Sequence, residues 1–172
     1  MARKATGHTL VELVLVLAII GICAGVALPA LRALLQPAAL HGWVSTYAQA
    51  LHSARQLAVA RGRTVTLCPL DPDGRCNGRW GGELALFWDD NQDGRLADPA
   101  DHIVDVRISD GTDMQVAWRG FGQKNYLSVR ANGNFRQNGR FRFCDRQAPA
   151  HGRALVLNVT GRSRVETLDC RA

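Results

Sequence analysis

Several kinds of motif are missing from this chain, and each absence removes a class of function. There is no Gly-x-Ser-x-Gly elbow, no His-Glu-x-x-His helix and no phosphate-cradling glycine loop, and His8, His41, His52, His102 and His151 are scattered along the sequence. Those arrangements are how a sequence announces a nucleophile, a catalytic zinc or a nucleotide site, so the chain reads as a non-enzyme without a cofactor. Cys-x-x-Cys spacing and any pairing of histidines are absent as well, which leaves zinc without a ligand set. No internal repeat or low-complexity tract occurs. Aromatic residues make up only 6% of the chain and few flank its C-terminal part, which argues against stacking on nucleobases there.

Charge is missing from one long stretch. The twenty residues from Thr9 to Leu28 carry a single charge, Glu12. At about 1.5 Å per residue, a helix of that length spans roughly 30 Å of hydrocarbon, so the stretch reads as a membrane helix. A short leader with Arg3 and Lys4 precedes it, and the cleavable-looking Gly7 sits before the apolar run, so that cleavage leaves the helix on the protein. Positive flanks stay cytoplasmic, which places everything after Leu28 on the other side. An acid within the bilayer costs on the order of 2.5–3.5 kcal/mol, and Glu12 therefore wants a cation.

The segment Gly7-His8-Thr9-Leu10-Val11-Glu12-Leu13 with the apolar run behind it resembles the class III signal of type IV pilins and type II secretion pseudopilins. The resemblance implies that a prepilin peptidase cuts after Gly7 and that the new amine on His8 is methylated. It also implies that Glu12, the fifth residue of the mature chain, pairs with the N-terminal amine of a neighbouring pilin subunit during assembly. His8 stands where the family usually has Phe.

Beyond the membrane run the chain divides by pattern. Trp43, Val44, Tyr47, Leu51, Ala54 and Ala58 recur at the spacing of one buried helix face, while Pro29 and Pro37 are expected kinks and Gly62 a stop. Short strands are expected at 64–67, 84–88, 103–108, 114–118, 126–129, 140–143, 154–159 and 165–168. The fold class is therefore α+β and type IV pilin-like, a long N-terminal helix packed on a β-rich head of antiparallel strands. The chain thus has four regions: a leader at 1–7, a transmembrane and assembly helix at 8–28, an amphipathic continuation at 29–62 and the head at 63–172. With 172 residues and 47% apolar content, one head of ordinary domain size can bury its own core.

Cys23 falls in the membrane run and reads as a small apolar residue. Cys68, Cys76, Cys144 and Cys170 lie in the exported part, where an even set implies two disulfides and admits three pairings. The favoured pairing joins Cys68 to Cys76 around a Pro/Asp/Gly loop and Cys144 to Cys170, tying the tail to a strand. The turn Asp89-x-Asn91-x-Asp93-Gly94 resembles the opening of a calcium loop, but Ala100 stands where the closing Glu belongs. A solvated turn is the reading preferred there, with no metal.

The net charge of +6 is unevenly distributed. Residues 71–114 hold eleven acids against four arginines, whereas 119–172 hold eleven bases, ten of them Arg, against three acids. A basic C-terminal third points to a polyanion, and Arg is the side chain suited to bidentate phosphate contacts. Within it, Gly161 can turn the chain, and Arg162 and Arg164 would point to one side of an extended segment. A pilin-like helix, a β-rich head and a C-terminal Gly-Arg-x-Arg together resemble the GspH/FimT family of minor pilins, and within it the FimT-type proteins that bind DNA during natural transformation. That resemblance implies DNA contact by Arg162 and Arg164, to which electrostatics adds Arg146, Arg153 and Arg171. The expected setting is a single-pass inner-membrane protein with its head in the periplasm, later built into an extracellular pilus. The alternative is a structural minor pseudopilin of a type II secretion system that never touches DNA.

Overall fold

The computed structural model describes residues 10–106, 114–122 and 124–171. Two compact units divide the chain, Met1–Ala38 and Ala39–Ala172. One helix, α1 (Leu10–Arg61), contributes to both.

In the first unit, α1 begins with Glu12 in its first turn, and its Leu10–Ala27 stretch is long and apolar enough to cross a membrane. The side chains there are exposed, including Cys23, which is a free thiol. The helix continues through Pro29 and Pro37. Gly7 and His8 lie outside the described residues.

In the second unit the same helix buries one stripe. Leu40, Trp43, Val44, Tyr47, Leu51, Ala54 and Ala58 are all buried, at the three-and-four spacing that places side chains on one side of a helix. The helix ends at Arg61, and Gly62 comes next with φ +63°, a left-handed stop that glycine adopts without steric cost.

The helix leads into eight strands, among the described residues: β1 (Val65–Cys68), β2 (Leu84–Trp88), β3 (His102–Val106), β4 (Met114–Gly120), β5 (Leu127–Val129), β6 (Gly139–Asp145), β7 (Gly152–Leu157) and β8 (Ser163–Leu168). They form two antiparallel four-stranded sheets, ordered β3-β2-β1-β5 and β4-β6-β7-β8. The third expected strand ends at Val106, and its remainder, 107–108, lies outside the described residues.

One core joins α1 with residues of both sheets, and its aromatic part lies where α1 meets the second sheet. The Tyr47 ring packs edge-on against Phe141 and Phe143 at 4.9 and 5.0 Å, and Phe141 in turn packs against Trp80 and Trp118. Such edge-to-face contacts add to the area buried. Tyr47 is fully buried and its hydroxyl donates to the backbone carbonyl of Trp80, while burial holds its phenol well above the ordinary value. Two disulfides close the head, Cys68 with Cys76 and Cys144 with Cys170. The second holds the chain beyond β8 to the end of β6. Gly152 makes room for it, since a Cβ there would lie 2.3 Å from the Cys170 sulfur.

Candidate nucleic-acid interface

The Gly-Arg-x-Arg segment is the closing side of the β7–β8 hairpin. Here the expected strand 154–159 is corrected: β7 stops at Leu157, because Asn158 opens a turn. The Gly161 amide donates to the Asn158 carbonyl at 3.0 Å and the Asn158 amide to the Arg162 carbonyl at 3.1 Å. The Asn158 side-chain oxygen accepts from the Arg162 amide at 2.9 Å and from the Thr160 hydroxyl at 2.8 Å, the local bonding that makes Asn a turn residue. Asn158 therefore fixes the backbone that presents Arg162, a role visible in sequence only as an Asn three residues before a Gly.

Gly161 is required by its φ of +80°, which glycine adopts without steric cost; beside it lies the flexible Arg55 side chain, reaching up from α1, with a terminal guanidinium nitrogen 2.8 Å from where a Cβ would stand. The amide of Phe135 also donates to the Val159 carbonyl at 2.8 Å, and Phe135 bridges Val129 of β5. The hairpin tip is thus seated on the helix and on the edge of the first sheet.

Pairing across the second sheet sorts the arginines by face. Phe141 stands opposite Leu155, and Leu155 opposite Val165; Phe141 and Leu155 point into the core. Arg140 stands opposite Val156, and Val156 opposite Arg164, on the other face. Arg162 shares the parity of Arg164, and both are exposed. The Nε of Arg164 lies 2.7 Å from Oε1 of Glu166, two residues along the same face.

The other three sequence candidates separate. Arg153 stands opposite Phe143 and Thr167, on the face that buries Phe143 and Leu155, and is half-buried. It is therefore not grouped with Arg162 and Arg164. Arg146 is exposed beyond the end of β6, and its Nε lies 2.8 Å from the Gln115 side-chain amide on β4, which accepts from it when its oxygen is turned toward the guanidinium. Arg171 is engaged by its neighbour: its Nε and Nη2 reach the two oxygens of Asp169 at 3.1 and 2.7 Å, and that guanidinium draws the Asp169 carboxyl down to about 2.

The Asp89 turn differs from a solvated loop. Asp89 is buried, and its carboxylate accepts from the Thr66 hydroxyl at 2.7 Å and from the amides of Asp93 and Gly94 at 3.1 and 3.2 Å. Its oxygens are committed to donors of the head itself, so the segment is a structural turn.

Comparison with known proteins agrees with this architecture. The family model for the type II transport protein GspH matches residues 44–161, and the prokaryotic N-terminal methylation motif matches residues 2–28. The fold is similar to that of the Pseudomonas aeruginosa (strain PAO1) type IV minor pilin FimU in two crystal forms. In space group P21 the identity is 19% and the TM-score 0.62, covering 80% of this chain and 98% of that one. In P65 the identity is 21% and the TM-score 0.55, covering 76% and 99%. No curated protein matches the chain. Because the GspH model spans more than half of the residues and the N-terminal methylation motif precedes it, the chain belongs to the GspH family, as a minor pilin or pseudopilin of the GspH/FimT type.

Proposed function

We propose that this chain is a minor pilin that binds extracellular DNA through the β7–β8 hairpin during uptake for natural transformation. The observation that carries the reading is the hairpin itself, which holds Arg162 and Arg164 exposed on one face of a turn braced by Asn158 and Phe135, with Arg55 of α1 lying beside Gly161. Two guanidiniums two residues apart on a strand stand about 7 Å from each other, a spacing that suits successive phosphates. Phosphate contacts carry no sequence information, so binding is sequence-tolerant and falls with salt. Upstream, the prepilin peptidase removes residues 1–7, His8 becomes the methylated N-terminus, and Glu12 meets the N-terminal amine of a neighbouring pilin subunit. The apolar half of α1 rests in the inner membrane with the head in the periplasm before assembly. Many copies along a fibre add weak contacts by avidity.

The test is a titration of the detergent-solubilised full chain with random-sequence duplex DNA at low and moderate salt. The Arg162→Gln, Arg164→Gln variant is expected to lose most binding, and the slope of log affinity against log salt to fall by about 1.8 for two phosphate contacts. Unchanged affinity and slope in that variant overturn the assignment. A second reading, a structural pseudopilin of a type II secretion system, is favoured by the description of the matched family. It predicts no binding by the wild-type chain at low salt.

A further inference from the structure

The outer face of the second sheet carries more arginine than the hairpin tip. Arg119 of β4 stands opposite Arg140 of β6, Arg140 opposite Val156 of β7, and Val156 opposite Arg164 of β8. One line across the strands therefore holds Arg119, Arg140 and Arg164, all exposed. Three strand gaps at about 4.8 Å give the line a length of about 14 Å. At one phosphate per roughly 3.4 Å of axis, that covers about four phosphate steps of one DNA strand.

The row is costly to the sheet on its own. Like charges directly opposite each other on neighbouring strands are destabilising, and Arg119 and Arg140 are such a pair. Neither makes an ion pair with a carboxylate among the described residues, whereas Arg164 is bound to Glu166. A local conflict kept in the folded state is expected where a ligand resolves it. A groove of about 290 Å³ runs alongside, lined by Gln115, Ala117, Arg119, Arg142, Asp145 and Arg146 among others. Asp145 is its acidic group.

We propose that Arg119 and Arg140 join Arg164 in a phosphate-binding row, so that a DNA duplex lies across the outer face of the second sheet and is not held at the hairpin tip alone. The inference rests on the DNA-binding reading of the hairpin and adds the surface over which the duplex runs. The strand register is what places the row, since its members come from three strands far apart in the chain. An anion between Arg119 and Arg140 turns their mutual repulsion into a shared attraction, the same chemistry by which a guanidinium pair holds successive phosphates.

The experiment uses the full chain in detergent micelles and a fluorescein-labelled random-sequence duplex, followed by anisotropy over a range of salt. Three double variants are compared with wild type: Arg119→Gln with Arg140→Gln for the row, Arg162→Gln with Arg164→Gln for the hairpin, and Arg75→Gln with Arg95→Gln as a control that removes the same charge from the acidic segment. The row variant is expected to bind about tenfold more weakly at low salt, with a salt slope lower by about 1.8, while the control keeps the wild-type slope. Its melting temperature at low salt is expected to match or exceed that of wild type, because a like-charge pair has been removed. A row variant with wild-type affinity and slope, beside a hairpin variant that has lost binding, overturns the row and leaves the hairpin reading standing. Equal losses in row and control also overturn it. If row and hairpin variants both bind as wild type does, the DNA-binding reading falls and the row with it.

Discussion

The two sheets of the head have the same number of strands and the same antiparallel pairing, yet they treat their second faces in opposite ways. In the first sheet, β1 reads Val-Thr-Leu-Cys and β2 reads Leu-Ala-Leu-Phe-Trp, and residues of both parities are buried. In the second, β6 carries Arg-Phe-Arg-Phe over 140–143, with both Phe buried and Arg140 exposed, and β4 alternates likewise from Met114 to Gly120. Near-continuous apolar runs belong to a sheet covered on both sides, and alternation belongs to one with a solvated face. The covered sheet must satisfy its polar groups internally. Thr66, Ser128 and Gln137 do so with Asp89: Thr66 bonds to Asp89 at 2.7 Å and to Ser128 at 2.8 Å, and the Ser128 amide donates to Gln137 at 3.0 Å. The open sheet keeps its polar groups for water or a partner, and it is there that the arginines stand.

The sharpest way to break this contrast is within β6 itself. Phe141→Ala removes the ring on which Tyr47, Trp80 and Trp118 pack, and should cost about 3–5 kcal/mol. Arg140→Gln, one residue away on the opposite face, should change stability by no more than about 0.5 kcal/mol. Urea unfolding followed by tryptophan fluorescence measures both, and similar losses would mean that the two faces are not distinct environments.

A smaller effect probes the covered sheet. Asp89→Ala removes the buried carboxylate that accepts from the Thr66 hydroxyl and from the amides of Asp93 and Gly94, for a loss of about 2–3 kcal/mol. Asp89→Asn keeps one carbonyl oxygen and should recover part of it. Faster amide exchange at Asp93 and Gly94 in the Ala variant would place the damage in the turn; unchanged exchange and stability would show that the buried polar network is dispensable.

How much of this is legible in the sequence depends on how far each feature reaches along the chain. The buried stripe from Trp43 to Ala58 is readable because a helix repeats its face every three or four residues, and all six expected positions are buried. Strand positions are readable for the same local reason. The burial of Asp89 is not, because it depends on Thr66 of β1 arriving beside a turn that would otherwise be solvated. The turn at Asn158 reads as strand, since Val156 to Val159 is apolar enough to continue; the side-chain bonds of Asn158 to Thr160 and Arg162 outweigh that propensity. Charge alone groups Arg153 with the hairpin, although two-residue alternation already sets it with Leu155 and Leu157. The row of Arg119, Arg140 and Arg164 is out of reach. It exists only through the pairing of β4, β6, β7 and β8, which no local pattern specifies.

The finest test of the contrast concerns the acid on the open face. Glu166 holds Arg164 at 2.7 Å with both side chains well exposed, at 41% and 73%, so the pair is expected to add little to stability. A phosphate approaching Arg164 must compete with that carboxylate and is repelled by its charge. Glu166→Gln should therefore leave unfolding within about 0.5 kcal/mol of wild type while strengthening binding to random-sequence duplex by roughly two- to fivefold at low salt. The gain should shrink as salt rises, because the repulsion it removes is screened over about 10 Å at 0.1 M. In an Arg164→Gln background most of the gain should vanish, since the freed guanidinium is no longer there to use. If Glu166→Gln binds no better than wild type, Arg164 is not meeting phosphate, and the open face of the second sheet is merely solvated at that edge.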